Sequence, residues 1–527
     1  MQPPKWKIVE GGIGGGDQRR RCVAASLSML IAATLAFLAY VAFFPDDGAG
    51  GVYRWWTCQD CGGALGEFPA DEPAAAAGPT AAGGSSRRHT PTTLSHIVFG
   101  IGASARTWDQ RRGYAELWWR PDEMRGHVWL DEQPVSPWPA ATCPPYRISA
   151  DASRFGDRAS ASRMARIVAD SFLAIAAELA TNDTAATATA TATEEARWFV
   201  MGDDDTVFFP ENLASVLRKY DHEEMYYVGA PSESVEQNVM HSYGMAFGGG
   251  GFAVSYPAAA ELARSIDGCL DRYPLFYGSD QRVQACLSEL GIPLTREPGF
   301  HQVDIRGDAY GMLAAHPVAP LVSLHHLDHI EPISPSGRTP LDAVRPLVRA
   351  SRLDPARLLQ QAFCYQHGPG YVWSVSVAWG YTVQLYPWAV APHELEVPLQ
   401  TFKTWRTWAN GPFVFNTRPL MPPDRPCSRP TVFFLSRARN DTGRGTVSEY
   451  ARHAGKSEKD CDQASFRAAS TVHTVKVFAP KMSLNAWKRR DLFQAPRRHC
   501  CKTKRTRLGT VLEVRIRYCG RGELTTP

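Results

Sequence analysis

Hydrophobic and polar positions change period along the chain, and the changes divide it. From Val23 to Phe44 no residue is charged, a run that matches the about 20 apolar residues needed to cross a bilayer as one helix. Pro69 to Arg88 is rich in Ala, Gly, Pro and Ser, a composition that packs no core and reads as a linker. His96 to Ile101 is β-branched and aromatic and ends in Gly100 and Gly102, which predicts a strand followed by a turn. Trp108 to Trp119 carries Tyr114, Leu117 and Trp118 at helical spacing, with Pro121 as the stop. His127 to Leu130 reads as a short strand. Arg163 to Leu179 reads as an amphipathic helix with Ile167, Phe172, Leu173, Ile175 and Leu179 on its apolar side. A Thr/Ala repeat, Thr184 to Thr193, reads as a surface insertion.

A strand is then expected at Arg197 to Met201, a helix at Glu211 to Tyr220 behind Pro210, a strand at Met225 to Val228, and helices at Pro257 to Ile266 and Gln281 to Leu290. This alternation predicts an α/β layer with a largely parallel sheet, ending near Pro335. Beyond Arg345 the pattern turns to strands: Tyr371 to Tyr386, Thr431 to Leu435, Thr471 to Phe478 and Val511 to Tyr518. A smaller β-rich C-terminal domain is expected there, with Cys427, Cys461, Cys500, Cys501 and Cys519 available to tie it. The expected divisions are a tail (1–22), a transmembrane anchor (23–44), a stem (45–93), an α/β domain (94–340) and the β-rich domain (341–527).

Charge orients the apolar run. Arg19, Arg20 and Arg21 precede it and Asp46 and Asp47 follow, so the short N-terminus is expected in the cytosol and the rest in the lumen. A cleaved signal peptide has a shorter apolar region, about 7–15 residues. A formal net charge of +4 over 527 residues gives no case for nucleic acid. Twelve cysteines and the triplets Asn182-Asp-Thr and Asn440-Asp-Thr suit a lumenal protein. Cys58 and Cys61 look like half of a metal or redox motif, but no second pair stands at the spacing a zinc site needs.

The chemistry centres on Trp198-Phe-Val-Met-Gly-Asp203-Asp204-Asp205-Thr. An apolar strand delivers three carboxylates to its C-terminal end, where ligands of open α/β sheets gather. Adjacent carboxylates repel unless a cation neutralises them, and hard divalent ions are held by carboxylate and phosphate oxygens. Strand geometry puts Asp203 and Asp205 on one face and Asp204 on the other. His325 and His329 form a second cluster whose helical spacing could bind zinc, although the surrounding prolines argue against a long helix.

The triplet resembles the D-x-D motif of glycosyltransferases with a single nucleotide-binding α/β domain, the GT-A type. The blocks Tyr227-Val-Gly-Ala-Pro, Phe247-Gly-Gly-Gly-Gly-Phe-Ala-Val-Ser, Tyr277-Gly-Ser-Asp280 and Pro298-Gly-Phe-His301 follow in the order seen in fringe and its relatives, glycosyltransferase family 31. The match is closest to a plant branch whose C-terminal extension carries Trp-Gly-Tyr-Thr-Val, here from Trp379, and Ala-Pro-Arg-Arg-x-Cys-Cys, here from Ala495. The resemblance implies an inverting, metal-dependent transfer of a hexose or N-acetylhexosamine from a UDP-sugar to a glycan or glycoprotein hydroxyl, of β1,3 type, with Mn²⁺ or Mg²⁺. It implies a Golgi membrane enzyme, single-pass type II. Asp205 and His301 are the implied metal ligands, Asp203 and Asp204 contact nucleotide or sugar, and Asp280 is the base. Where the family has an acidic pair, this chain has Ser279-Asp280. Gly249 and Gly250, within Gly248 to Gly251, let backbone approach substrate or else form a bulge. Apart from the resemblance, Asp280 reads as a helix N-cap before Gln281. Two alternatives stand beside this one: a haloacid-dehalogenase-type phosphatase using Asp203 and Asp205, and a catalytically silent sugar-binding protein.

Overall fold

The computed structural model describes residues 90–182, 195–422, 424–443, 445–453, 461–487 and 497–527. The expected anchor, nearly all of the stem, Cys58-x-x-Cys61 and the Thr/Ala repeat lie outside them. No helix among the described residues is long and apolar enough to cross a membrane. Residues Arg87–Pro527 group into one compact unit.

The chain first lays down β1 (Ile97–Gly102), β2 (Arg125–Leu130), β3 (Tyr146–Ile148) and β4 (Trp198–Asp203). The short β5 (Val207–Phe208) leads to β6 (Tyr227–Gly229), β7 (Phe252–Ser255) and β8 (Leu294–Arg296). All but β5 form one sheet in the order β3-β2-β1-β4-β7-β6-β8. The strands from β3 to β4 are mutually parallel, as are β6 and β8, but β7 runs antiparallel to both its neighbours. The sheet is therefore mixed, and the reversal falls beside the strand that carries the aspartates.

Alternation along the strands feeds two cores. From β1 and β4, Ile97, Phe99, Trp198 and Val200 enter one core, and Val98, Phe199 and Met201 the other. Helices Ile167–Asn182, Tyr256–Arg272 and Ser279–Glu289 cover the second face. The helix expected over Arg163 to Leu179 is two helices, Ala159–Ala165 and Ile167–Asn182. Leu173 and Leu179, placed on its apolar side by spacing, are 49% and 41% exposed. Arg163, in the first of these helices, turns its guanidinium inward and donates to the carbonyls of Trp129 in β2 (3.0 Å) and Ala103 just beyond β1 (3.1 Å).

After β9 (Ile305–Gly307) and β10 (Ser323–Leu324), the C-terminal part builds β11 (Gln361–Gly368), β12 (Tyr371–Ala378), β13 (Thr382–Tyr386), β14 (Leu399–Gln400), β15 (Phe402–Thr404), β16 (Arg418–Pro419), β17 (Thr431–Asn440), β18 (Gly445–His453), β19 (Thr474–Pro480), β20 (Cys500–Arg505) and β21 (Val511–Arg517). Eight of these form a sheet in the order β11-β12-β13-β17-β18-β19-β21-β20. Its edge strands are brought together by the Cys364–Cys501 disulfide and by Thr503 Oγ1, which donates to the Tyr365 carbonyl at 3.2 Å. The sheet thus rolls until its edges meet. Cys427–Cys461 and Cys500–Cys519 fasten its loops. Its inner residues, among them Val375, Val383, Phe433 and Val477, belong to the same core as Ile97 and Trp198. A further link is direct: β15 pairs antiparallel with β9, Phe402 opposite Gly307 and Thr404 opposite Ile305.

Candidate active site

β4 ends at Asp203, and Asp204 and Asp205 lie in the turn that follows. Thr206 fixes this turn: its hydroxyl accepts from the Asp203 N–H (2.8 Å) and donates to the Gly249 carbonyl (2.7 Å). The three carboxylates diverge. Asp204 is buried and meets Arg111 Nη1 at 2.9 Å, with Thr107 Oγ1 at 3.5 Å. Arg111 also lies 3.4 Å from Asp205. Asp205 is 2% exposed. Its Oδ1 faces His325 Nε2 at 3.0 Å, and Asp203 Oδ2 lies 3.7 Å from the same nitrogen. Asp203 keeps 31% of its side chain open.

Asp203, Asp205 and His325 each offer a ligand atom within 4.8 Å of the others. Neither Asp205 Oδ1 nor His325 Nδ1 has a well-directed hydrogen-bond partner, although both are buried. Orphaned polar atoms of this kind suit a bound ion. Two carboxylates and an imidazole match a borderline-hard divalent cation such as Mn²⁺ better than Mg²⁺, which prefers oxygen alone. Burial and the neighbouring carboxylates push Asp203 up to about 7, against the pull of His325. Burial works to raise Asp205, but His325 and Arg111 hold it well below the usual carboxylate range. Burial works to lower His325, yet Asp205 and Asp203 raise it to about 9.

His301, the implied second metal ligand, is held elsewhere. Its Nδ1 lies 3.0 Å from Glu233 Oε1 and its Nε2 3.0 Å from His316 Nε2. These three line a separate cavity of about 470 Å³ with Phe300, Met312 and Phe415. The histidine that reaches Asp205 is His325, from the cluster that spacing set apart. That cluster is not helical as a unit. His325 directly follows β10, which pairs with β5; His326 is left-handed and meets Asp304 at 3.0 Å; His329 ends a short 3₁₀ turn.

Asp280 is not a helix cap. The cap is Gly278, and Asp280 is the second residue of helix Ser279–Glu289, where the helix dipole favours a carboxylate. It accepts from the Ser279 hydroxyl at 3.0 Å and from the Gly248 N–H. Burial raises it above the ordinary carboxylate value, and those two donors oppose the rise. The Asp280 charge adds to the rise at Asp203. The glycine block is packed against these side chains. A Cβ on Gly248 would lie 2.5 Å from Asp280 Oδ1, and one on Gly249 2.1 Å from the His325 ring. Gly250 donates to Gln302 Oε1 at 2.6 Å, and Gly251 closes the turn at φ +83°. The glycines therefore admit the protein's own functional side chains.

The fold and this acid cradle define a class. A family model described as Fringe-like matches residues 162–309, spanning the triplet, the glycine block, Asp280 and His301. A second, described as "Protein of unknown function, DUF604", matches residues 237–501, just over half of the chain. The chain belongs to that family, and it is a fringe-like protein of the glycosyltransferase family 31 type. A beta-1,3-glucosyltransferase of Mus musculus is 32% identical over 139 residues. That match covers 26% of each protein, so the chain spans about a quarter of the curated relative's length. The phosphatase alternative loses its ground, since the Fringe-like match includes both aspartates it would use.

Proposed function

We propose that this protein transfers a sugar from a UDP-sugar to a hydroxyl of a glycan acceptor with inversion. The observation that carries the reading is the meeting of Asp203, Asp205 and His325 with Asp280 across a glycine turn. Asp203, Asp205 and His325 would hold a divalent cation, which supplies charge to offset the diphosphate as it departs. Arg111 keeps Asp204 and Asp205 apart from a mutual repulsion that would otherwise spread the turn. Asp280 takes the proton of the attacking hydroxyl. Burial raises Asp280 above the ordinary carboxylate value, the direction that strengthens a base. The Ser279 hydroxyl stands where the family has a second acid, and it steadies the ionised form of Asp280.

Four disulfides among the described residues and the exposed Asn440 sequon suit a lumenal site. With the apolar run at Val23 to Phe44 they support a type II Golgi membrane protein. The test is a titration of the purified chain with UDP, with and without Mn²⁺, followed by UDP-sugar hydrolysis. Asp205→Asn and His325→Ala should each lose the manganese-dependent part of UDP affinity. Asp280→Asn should keep it and lose turnover by about 10²-fold or more. Equal UDP affinity with and without metal would refute the proposal.

A further inference from the structure

A rim of aromatic residues stands next to the cation cradle, and the C-terminal extension supplies it. His325 and His326 have ring centroids 3.9 Å apart. His326 lies parallel to Trp405 at 4.5 Å, with 4° between the planes. The Arg306 guanidinium lies over Trp405 at 3.8 Å and 5.8 Å from the Trp408 ring. From Asp205 the path thus runs through the rings of His325, His326 and Trp405 and is carried to Trp408 by the Arg306 guanidinium. Trp405 is half-buried along this path, whereas Trp408 is 57% exposed.

The loop that carries the two tryptophans is held firmly. Thr404 N–H donates to the Ala409 carbonyl (2.9 Å), and Ala409 N–H to Thr404 Oγ1 (3.0 Å). Arg406 N–H donates to Glu236 Oε2 at 3.1 Å, Thr407 donates to the same carboxylate, and Arg306 Nε donates to the Trp405 carbonyl at 3.3 Å. In this rigid frame Trp408 takes φ +55°, a region that bulky residues avoid. Among the described residues, the non-glycine residues with positive φ are Val303, His326, Leu359 and Trp408. Three of these four belong to this layer: His326 stacks on Trp405, Trp408 neighbours Arg306, and Val303 directly precedes Asp304, the partner of His326. Strain gathered in one place, on a side chain that buries little, points to a role outside stability.

We propose that Trp408 is a stacking platform for the acceptor saccharide, and that Trp405 is a positioning residue that couples this platform to His326 and His325. The inference rests on the transferase reading. An indole presents a flat, weakly polar face that matches the C–H face of a pyranose ring, and the adjacent guanidinium offers donors to the ring hydroxyls. A saccharide lying on Trp408 enters the site from the side of the extension. The extension is then part of the acceptor site, and acceptor choice is exercised on residues 404–409.

The experiment uses the full chain labelled with 5-fluorotryptophan, in the presence of Mn²⁺ and UDP. Lactose, cellobiose and N,N′-diacetylchitobiose are the probes, followed by ¹⁹F NMR, with the Trp408 signal identified by its loss in Trp408→Phe. At least one disaccharide should shift the Trp408 resonance saturably. Trp408→Ala should weaken its binding at least tenfold and Trp408→Phe less than threefold, with manganese-dependent UDP affinity unchanged in both. Trp408→Gly, which relieves the backbone, should lose the disaccharide while melting at or above the wild-type Tm; a purely structural tryptophan would lower it. A panel that leaves the Trp408 signal unmoved, or disaccharide affinity that survives Trp408→Ala, overturns the proposal. Failure of the transferase reading shows separately, as wild-type chain without manganese-dependent UDP affinity, and the sugar titration still decides the platform.

Discussion

A proton and a divalent cation compete for His325. Without metal, Asp205 and Asp203 hold the ring protonated up to about pH 9 against the effect of burial. A metal ligand must be the neutral imidazole, so binding the ion expels that proton. Manganese-dependent UDP affinity is therefore expected to rise with pH, by up to about tenfold per unit below pH 9, and to level off above it. Isothermal titration across pH 6.5–9.5 checks this, and His325→Asn should flatten the slope. At the base the sign is opposite in origin but similar in readout. Ser279→Asp replaces a hydrogen-bond donor with a like charge, which raises Asp280 further. The acid limb of the pH–rate profile should move to higher pH, with UDP affinity little changed. Arg111 escaped notice in the sequence because one arginine on a polar helix face carries no signal. Arg111→Met leaves the buried Asp204 without its charged partner and is expected to cost about 2 kcal/mol, read as a lower urea midpoint.

Elements decide which of these residues meet. Gly248 and Gly249 are adjacent, yet they admit different partners, Asp280 and the His325 ring. Gly248→Ala should therefore lower turnover while UDP affinity holds, and Gly249→Ala should lower manganese-dependent UDP affinity at least tenfold. Parallel loss of both functions in both variants would contradict the separation. The strands that carry this geometry were legible: β1, β4 and the helix Ser279–Glu289 stand within two residues of their expected places, since apolar runs mark them directly, whereas the helix Tyr256–Arg272 runs six residues beyond its expected end at Ile266. β7 itself was not expected, and its direction was not legible either, because a short apolar strand reads the same in either sense. His325 was seen but placed in a separate cluster. Its signal was the run Leu321-Val-Ser-Leu324 leading into it, the same apolar delivery that marked the triplet, and the spacing to His329 drew attention away. The pairing of His301 with Glu233 and His316 depends on contacts 68 and 15 residues distant, which no local pattern encodes.

At the scale of the whole molecule, the rolled C-terminal sheet solves a problem of exposed edges. β11 and β20 would each present unpaired backbone to solvent, an invitation to aggregate. The Cys364–Cys501 disulfide joins them across a sequence separation of 137. Replacing both cysteines by serine is expected to cost about 2–5 kcal/mol and to raise the rate of aggregation on heating, as followed by light scattering. The core shared by both sheets also predicts that a fragment ending near residue 340 will be insoluble, since Phe402 and Val375 belong to the core that packs Ile97 and Trp198.

The three-residue ladder between β9 and β15 reaches further than its length suggests. At the end where Ile305 faces Thr404, β9 leads back to Asp304 and His301 and β15 leads forward to the tryptophan loop. An insertion or deletion in the loop would slip the ladder's register and disturb the catalytic layer at the same stroke. Diversity among relatives should therefore accumulate as exchanges of single side chains at a loop of constant length, much as a key blank is recut without altering its shank.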